Sequence, residues 1–303
     1  RGVDVAQAYA SRTDREIEYE VRRLYASLLS NAAHQRVICL EIDHITEIKS
    51  IIDTRVGRSA DPALAGKRAL TELLTAQFEL EQLLIEETTQ YTQLAQLTGF
   101  DGSFSIEIGA VNQLPTVRTV ETNFTQLPDF KVLEAKQREA QARTALERAK
   151  QTPDITWNVG VRNFGLSDDI GVVTGVSIPL GTKARSNARI AQSSAKERVI
   201  TSQQQALLQQ LERRAGVLLQ SSLQEVSLLT RLDQDLIPEA TRALELAEDG
   251  YARGALAFRD ILDAHEVLIS LHKQRAHHLE NYFMNDVELT RLSSSVAQME
   301  TAQ

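Results

Sequence analysis

The chain has 303 residues, 42% of them hydrophobic but only 5% aromatic, and a formal net charge of -8. Two ordinary domains fit that length, yet so few aromatics leave Ala and small aliphatics to do the packing, as in extended helical bundles. The acidic balance excludes a general nucleic-acid binder, because no basic face is concentrated to neutralise phosphates, and no apolar run of about 18 residues offers a membrane-spanning helix.

Arg1 enters a helical pattern directly, with no export signal and no Met, as expected of a processed or truncated product. Prolines and glycines cluster at a few places, so the helices between them are expected to be long. The first runs from about Asp4 to Thr54. Its Cys39 lies in the apolar run Val37, Ile38, Leu40 and reads as a buried, inert thiol; a single cysteine excludes an internal disulfide. A turn around Gly57 leads to a second helix, Pro62 to Leu97. Residues 100–128 break the periodicity and read as a linker with a short strand near Phe104 to Ile108. A further helix covers Asp129 to Gln151.

Pro153 to Leu180 is a β-hairpin signal. Ile155, Trp157, Val159 and Val161 alternate with Thr156, Asn158, Gly160 and Arg162, the period of a strand. In the second strand Ile170, Val172, Thr174, Val176, Ile178 and Leu180 share one face, and Gly171, Gly175 and Ser177 punctuate the other. Each strand has roughly ten residues, enough for a tilted strand to cross a bilayer. FGLSDD supplies the turn. Two strands are not stable alone, so the hairpin implies a partner assembly; alternation by itself equally fits a small hairpin on a helical body.

From Thr182 to about Asp249 runs a coiled-coil-like stripe of Leu208, Leu211, Ala215, Leu218, Val226, Leu229, Leu236, Ala240, Ala243 and Ala247. Such a helix would be on the order of 100 Å long, with a kink expected at Pro238. The last helix is read from Ala255 to Leu292. Two stretches match: DTRVGRSADPALAGKRAL at 53–70 and DGYARGALAFRDILDA at 249–264. Each has a helix, an Arg-and-Gly turn and a second helix, with Gly57 and Gly254 as counterparts, so the chain reads as a duplication whose first hairpin would precede Arg1.

Helix, hairpin, very long helix, Gly turn and helix resemble, in that order, the TolC-like outer-membrane efflux factors over essentially the whole chain. LPDFKVLEAKQREAQARTALERAKQTPDITWNVGV resembles the family's repeat start, GVSIPLGTKARSNARIAQSSA its second strand running into the long helix, and YARGALAFRDILDAHEVL its periplasmic tip. SIPL followed by RSNARIAQ is closest to the heavy-metal cation branch, the CzcC- and CusC-like factors. The resemblance implies a mainly α fold with long antiparallel coiled-coil helices and one membrane β-hairpin. Its parts would be a first helical arm (1–99), an equatorial linker (100–128), a second-repeat helix (129–152), the barrel hairpin (153–180) and a second arm (181–303) with its tip near 250–257. It further implies a homotrimer in the Gram-negative outer membrane, with a periplasmic helical tunnel and hairpins that meet lipid through Ile155, Trp157, Val159, Val161, Val172, Val176 and Ile178. A periplasmic adaptor protein and an inner-membrane pump would be its partners, and metal cations or small toxic compounds its cargo. Six strands from three such chains are too few for the family's twelve-stranded barrel, so this chain alone is expected not to insert as a pore, with a monomer as one expected state.

Asp260 and Asp263 lie three apart on the helix after Gly254 and share a face. Under threefold symmetry they would form acidic rings favouring cations; alternatively they simply favour the positive N-terminus of that helix. Tyr251, Gly254, Asp260 and Asp263 match the family tip. The Arg expected two residues after the turn glycine is Leu256, which leaves the family's Tyr-to-Arg latch open, with Arg253 or Arg259 as substitutes. Arg55, Gly57, Arg58, Gly254 and Ala255 are the expected adaptor contacts, although glycines there also serve simply to cap helices.

The histidines lack chelating spacing: His265 and His272 are about 10 Å apart along a straight helix, His277 and His278 point to different faces, and His34 and His44 have no partner one turn on. No metal site and no cofactor is therefore expected. No phosphate loop, nucleophile elbow or His-Glu-x-x-His occurs, so the chain is read as no enzyme. The alternatives are a soluble coiled-coil scaffold that binds partner helices and the outer-membrane factor of a type I secretion system.

Overall fold

A computed structural model describes residues 2–100, 102, 104–117, 123–152, 154–164, 169–178 and 182–293. The helices are α1 (Gly2–Gly57), α2 (Ala63–Thr98), α3 (Pro128–Ala149), α4 (Thr182–Arg231), α5 (Ile237–Ala252) and α6 (Phe258–Leu292), and the strands are β1 (Thr156–Phe164) and β2 (Asp169–Ser177). Each expected helix is present. Pro153, Leu180 and most of the hairpin turn lie outside the described residues. The chain divides into two compact units, one of Arg1–Thr13 and Phe124–Leu211, the other of Asp14–Asn123 and Glu212–Gln303.

In the first unit α3 and α4 pair through small and polar side chains. Val132, Ala135, Ala140 and Ile200 are buried, and the buried Thr144 hydroxyl donates to Ser193 Oγ at 2.9 Å. Gln137 meets Thr201 at 3.4 Å and Gln151 meets Asn187 at 2.7 Å. Partners descend α4 as they ascend α3, so the pair is antiparallel. β1 and β2 pair antiparallel from Thr156↔Ser177 to Phe164↔Asp169. Trp157 faces Val176, Val159 faces Thr174 and Val161 faces Val172, which puts these apolar residues of both strands on one side, while Val173, opposite Gly160, lies on the other.

The second unit holds two main cores. Ile45, Ile48 and Ile52 of α1, Ala65 and Ala69 of α2, Ala240, Leu244, Ala247 and Tyr251 of α5, and Ile261 and Leu268 of α6 form the one nearer the turns. Their steps of three and four are one face of each helix. The other gathers Ala26, Leu29, Ala33 and Val37 with Leu229, Ala276, Leu279, Tyr282, Phe283 and Val287. Cys39 is exposed, against the sequence expectation: Val37 and Ile38 take the buried face, and the next residue rotates outward.

The long helix after the hairpin is not continuous. Leu232–Leu236 forms a π turn, in which the Ile237 N–H reaches the Leu232 carbonyl five residues back. Pro238, which has no N–H to give, follows directly, and the widened turn is where the helix accommodates it. The extra residue shifts the phase of the stripe. Leu232 is buried at 4% exposure while the predicted Leu236 is 40% exposed; beyond it Leu244 packs inward and Ala243 is exposed. Arg275 Nε holds the turn through Asp233 Oδ1 at 2.6 Å.

Phe104 to Ile108 is not a strand. The Ile106 N–H donates to the Tyr91 hydroxyl at 3.2 Å, and Phe104 packs edge-on against Tyr91 and Phe100. A side chain takes the donor that a partner strand would have taken, and a short 3-10 turn, Gly109–Asn112, follows.

Candidate functional site at the helix tips

Both helical arms reverse with the same device. At the second tip the Gly254 N–H bonds the Tyr251 carbonyl (2.9 Å) and the Ala255 N–H the Gly250 carbonyl (2.8 Å), a Schellman closure with Gly254 left-handed at φ 77. At the first tip the Ser59 N–H bonds the Val56 carbonyl (2.9 Å) and the Ala60 N–H the Arg55 carbonyl (2.9 Å), with Ser59 left-handed at φ 58. The counterpart of Gly254 is therefore Ser59, and Gly57 lies in the last turn of α1. Ser59 carries the cost a Cβ meets in that region, about 1–2 kcal/mol. Ser59→Gly is expected to raise stability by about 1 kcal/mol and Gly254→Ala to lower it by about as much, read by thermal melts. Equal and opposite changes at the two sites check the correspondence.

Beside the turns, one carboxylate joins the tips. Arg55 Nε lies 2.6 Å from Asp61 Oδ2, and the Tyr251 hydroxyl donates to the same oxygen at 2.6 Å. Arg55 also donates to the Tyr251 carbonyl at 2.8 Å, and its guanidinium stands 4.5 Å over the Tyr251 ring. Tyr251 is fully buried, and burial first, then the Asp61 hydrogen bond, pushes its phenol up to about 12. The hydrogen bond from Arg55 first, then that from Tyr251, holds the Asp61 carboxyl below its ordinary range. Asp61 in turn raises Arg55, chiefly through that hydrogen bond.

The other predicted tip residues stand apart from this cluster. Arg253 is exposed and lies 3.5 Å from Asp249 one turn back; Arg259 lies 3.6 Å from Asp263. Asp260 Oδ2 accepts the Ala257 N–H at 2.7 Å and so closes the first turn of α6. Asp263 remains largely exposed, as do Gly57, Arg58, Gly254 and Ala255, while Arg55 turns inward. Leu256, in the place of the family's Arg, folds back over Gly250: a Cβ added there would lie 2.6 Å from Leu256 Cδ1. Asp61 was not among the sequence candidates; its one signal was the Arg55 to Asp61 pair bracketing the turn.

This is the fold of the TolC-like outer-membrane channels. The outer membrane protein VceC of Vibrio cholerae superimposes with a TM-score of 0.76 at 16% identity, covering 95% of this chain and 72% of VceC. CusC, whose structures describe transmembrane channel formation, gives 0.79 at 14% identity, over 96% of this chain and 71% of CusC. In sequence the chain is similar to the cobalt-zinc-cadmium resistance protein CzcC of Cupriavidus metallidurans, 24% identical over 271 residues, 88% of this chain and 64% of CzcC. The nickel and cobalt resistance protein CnrC of the same organism is 29% identical over 140 residues, 44% of this chain and 32% of CnrC. No family model matches. The chain thus has the TolC-like fold, its sequence relatives include two metal resistance proteins, and it spans less than two thirds of the length of those relatives.

Proposed function

We propose that the protein is the outer-membrane exit duct of a tripartite efflux system, passing metal cations or small toxic compounds from the periplasm. Three copies would pool their hairpins in a closed barrel and their helical arms in a tunnel that meets a periplasmic adaptor and, through it, an inner-membrane pump. The observation that carries this reading is the hairpin's apolar face. Trp157, Val159, Val161 and Val172 are each more than 70% exposed, and Ile155, Val176 and Ile178 are at least half exposed. A contiguous apolar face of that kind requires lipid or further protein to cover it. Nothing in such a duct makes or breaks a bond.

At the tips, Asp260 and Asp263 of three protomers would ring the periplasmic mouth, and the Arg55, Asp61 and Tyr251 cluster would hold each mouth helix pair closed. Gly57, Arg58, Gly254 and Ala255 would be free for the adaptor. In planar bilayers the whole protein is expected to conduct with a cation preference, and Asp260→Asn with Asp263→Asn to move the reversal potential in a salt gradient toward zero. An unchanged reversal potential would remove the acidic ring, and failure to insert at all would remove the duct.

A further inference from the structure

Two sets of apolar residues compete for the inner face of the long helix beyond Leu229. An unbroken α-helix would turn inward the stripe that periodicity alone selects, Leu236, Ala240, Ala243 and Ala247. With the π turn at Leu232–Leu236 in place, Ile237 and Leu244 take over from Leu236 and Ala243, while Ala240 and Ala247 stay inside. Both registers keep a continuous apolar stripe, so hydrophobic patterning permits either. Polar groups discriminate. Arg275 of α6 grips Asp233 in the π turn with two nitrogens, Nε to Oδ1 at 2.6 Å and Nη2 to Oδ2 at 3.1 Å, a fork that a lysine cannot reproduce. Its third nitrogen, Nη1, donates to the carbonyl of Val111 at 3.4 Å, and Val111 is buried. One guanidinium therefore ties α6, the π turn and the linker together. Pro238 biases the helix the same way, since in an α register its ring would press on the carbonyl of Gln234.

We propose that the π turn is a register switch and that Arg275 is the positioning residue that sets it. In one state Arg275 and Asp233 hold the turn open; in the other the turn closes to α and α5 rotates about its own axis. Tyr251 lies on α5 beyond the turn, so that rotation carries its hydroxyl off Asp61. The linker and the tips are thereby coupled in both directions. Drawing the Val111 carbonyl away from Arg275 weakens the tip cluster, and prying Tyr251 from Asp61 favours the closed turn. The inference stands on helix geometry and does not depend on the duct reading.

Thiol labelling of the chain in a Cys39→Ser background reads the register residue by residue. With Arg275 in place, Leu236→Cys and Ala243→Cys should react about tenfold or more faster than Leu232→Cys and Leu244→Cys, following the exposure of those positions. Adding Arg275→Met should narrow the ratio several-fold, by slowing the exposed pair as well as speeding the buried one, and adding Pro238→Ala to it should reverse the order. Arg275→Lys should fall between wild type and Arg275→Met. Pro238→Ala alone should keep the wild-type order, because the grip on Asp233 remains. A general loosening of the helix would speed the buried pair without slowing the exposed one, so the two effects are separable. The exposed positions tolerate cysteine, and slowing there tests the switch by itself. Unslowed labelling of Leu236→Cys and Ala243→Cys in Arg275→Met overturns the proposal, as does reversal of the order by Pro238→Ala alone.

Discussion

Asp61→Ala is expected to unlock both helix tips at once and, on the proposed duct reading, to raise the conductance of the whole protein several-fold. The carboxylate is the shared acceptor of Arg55 and Tyr251, so one substitution removes two charge-assisted hydrogen bonds. It also leaves the hydroxyl of a fully buried tyrosine without its acceptor. A hydrogen bond to an ionised group contributes about 1.5–3 kcal/mol, so Tyr251→Phe alone should cost about that much and open the mouth less. If the three side chains act as a unit, Tyr251→Phe added to Asp61→Ala should change little further. Fully additive effects on melting and conductance would count against the unit. The pH dependence has a definite sign at each end. Asp61 is held low, so its contribution is complete above the ordinary carboxylate range and is lost as pH falls through its depressed pKa. Tyr251 is raised to about 12, so its contribution is complete below pH 10 and is lost as pH rises through about 12. Between those limits the cluster is insensitive to pH, so under the duct reading protonation would not be what opens it.

The long helices and the hairpin register were legible because their information is local. Alternation from Ile155 to Val161 and from Ile170 to Ile178 set which side chains share a face, and backbone pairing keeps that assignment. The two turns were legible as turns. What failed there was the assumption that a left-handed cap must be glycine, so Gly57 was matched to Gly254 where Ser59 holds the position. The π turn was half-legible: Pro238 marks the break, but the resulting phase shift, which exchanges Leu236 for Leu232, depends on which helices surround it. Asp61 and Tyr251 are 190 residues apart. Spacing along one helix cannot reveal a cluster assembled by two tips.

Acid is expected to weaken the helical arm through His265. His265 is 5% exposed, its Nε2 has no hydrogen-bond partner, and its ring meets His44 edge-on with centroids 6.1 Å apart. Burial, then the proximity of His44 and of Lys273, lowers its pKa from 6.5 to about 4. Glu41, Glu72 and Glu266 line the same cavity of about 690 Å³ between α1, α2 and α6, but Glu41 is already paired, sharing Lys273 with Glu79. Burial first, then Glu266 and Glu41, raises Glu72, so this carboxyl favours taking up a proton itself over stabilising a charged imidazole. An unfolded His265 binds its proton near pH 6.5 and the folded one only near 4. Stability is therefore complete above about 6.5 and falls as pH drops toward 4, by an amount on the order of 3 kcal/mol at 1.36 kcal/mol per unit. Denaturant melts of the chain at intervals from pH 7.5 to 4.5 read that slope. His265→Leu has no proton to bind and a comparable volume, so its stability should fall less steeply across the same interval, burial of His272, which also lowers its pKa, leaving part of the slope. A variant slope as steep as that of wild type would assign the acid sensitivity to other groups. His44→Gln removes the neighbouring imidazole and should reduce the wild-type loss of stability without abolishing it, because burial is the larger cause.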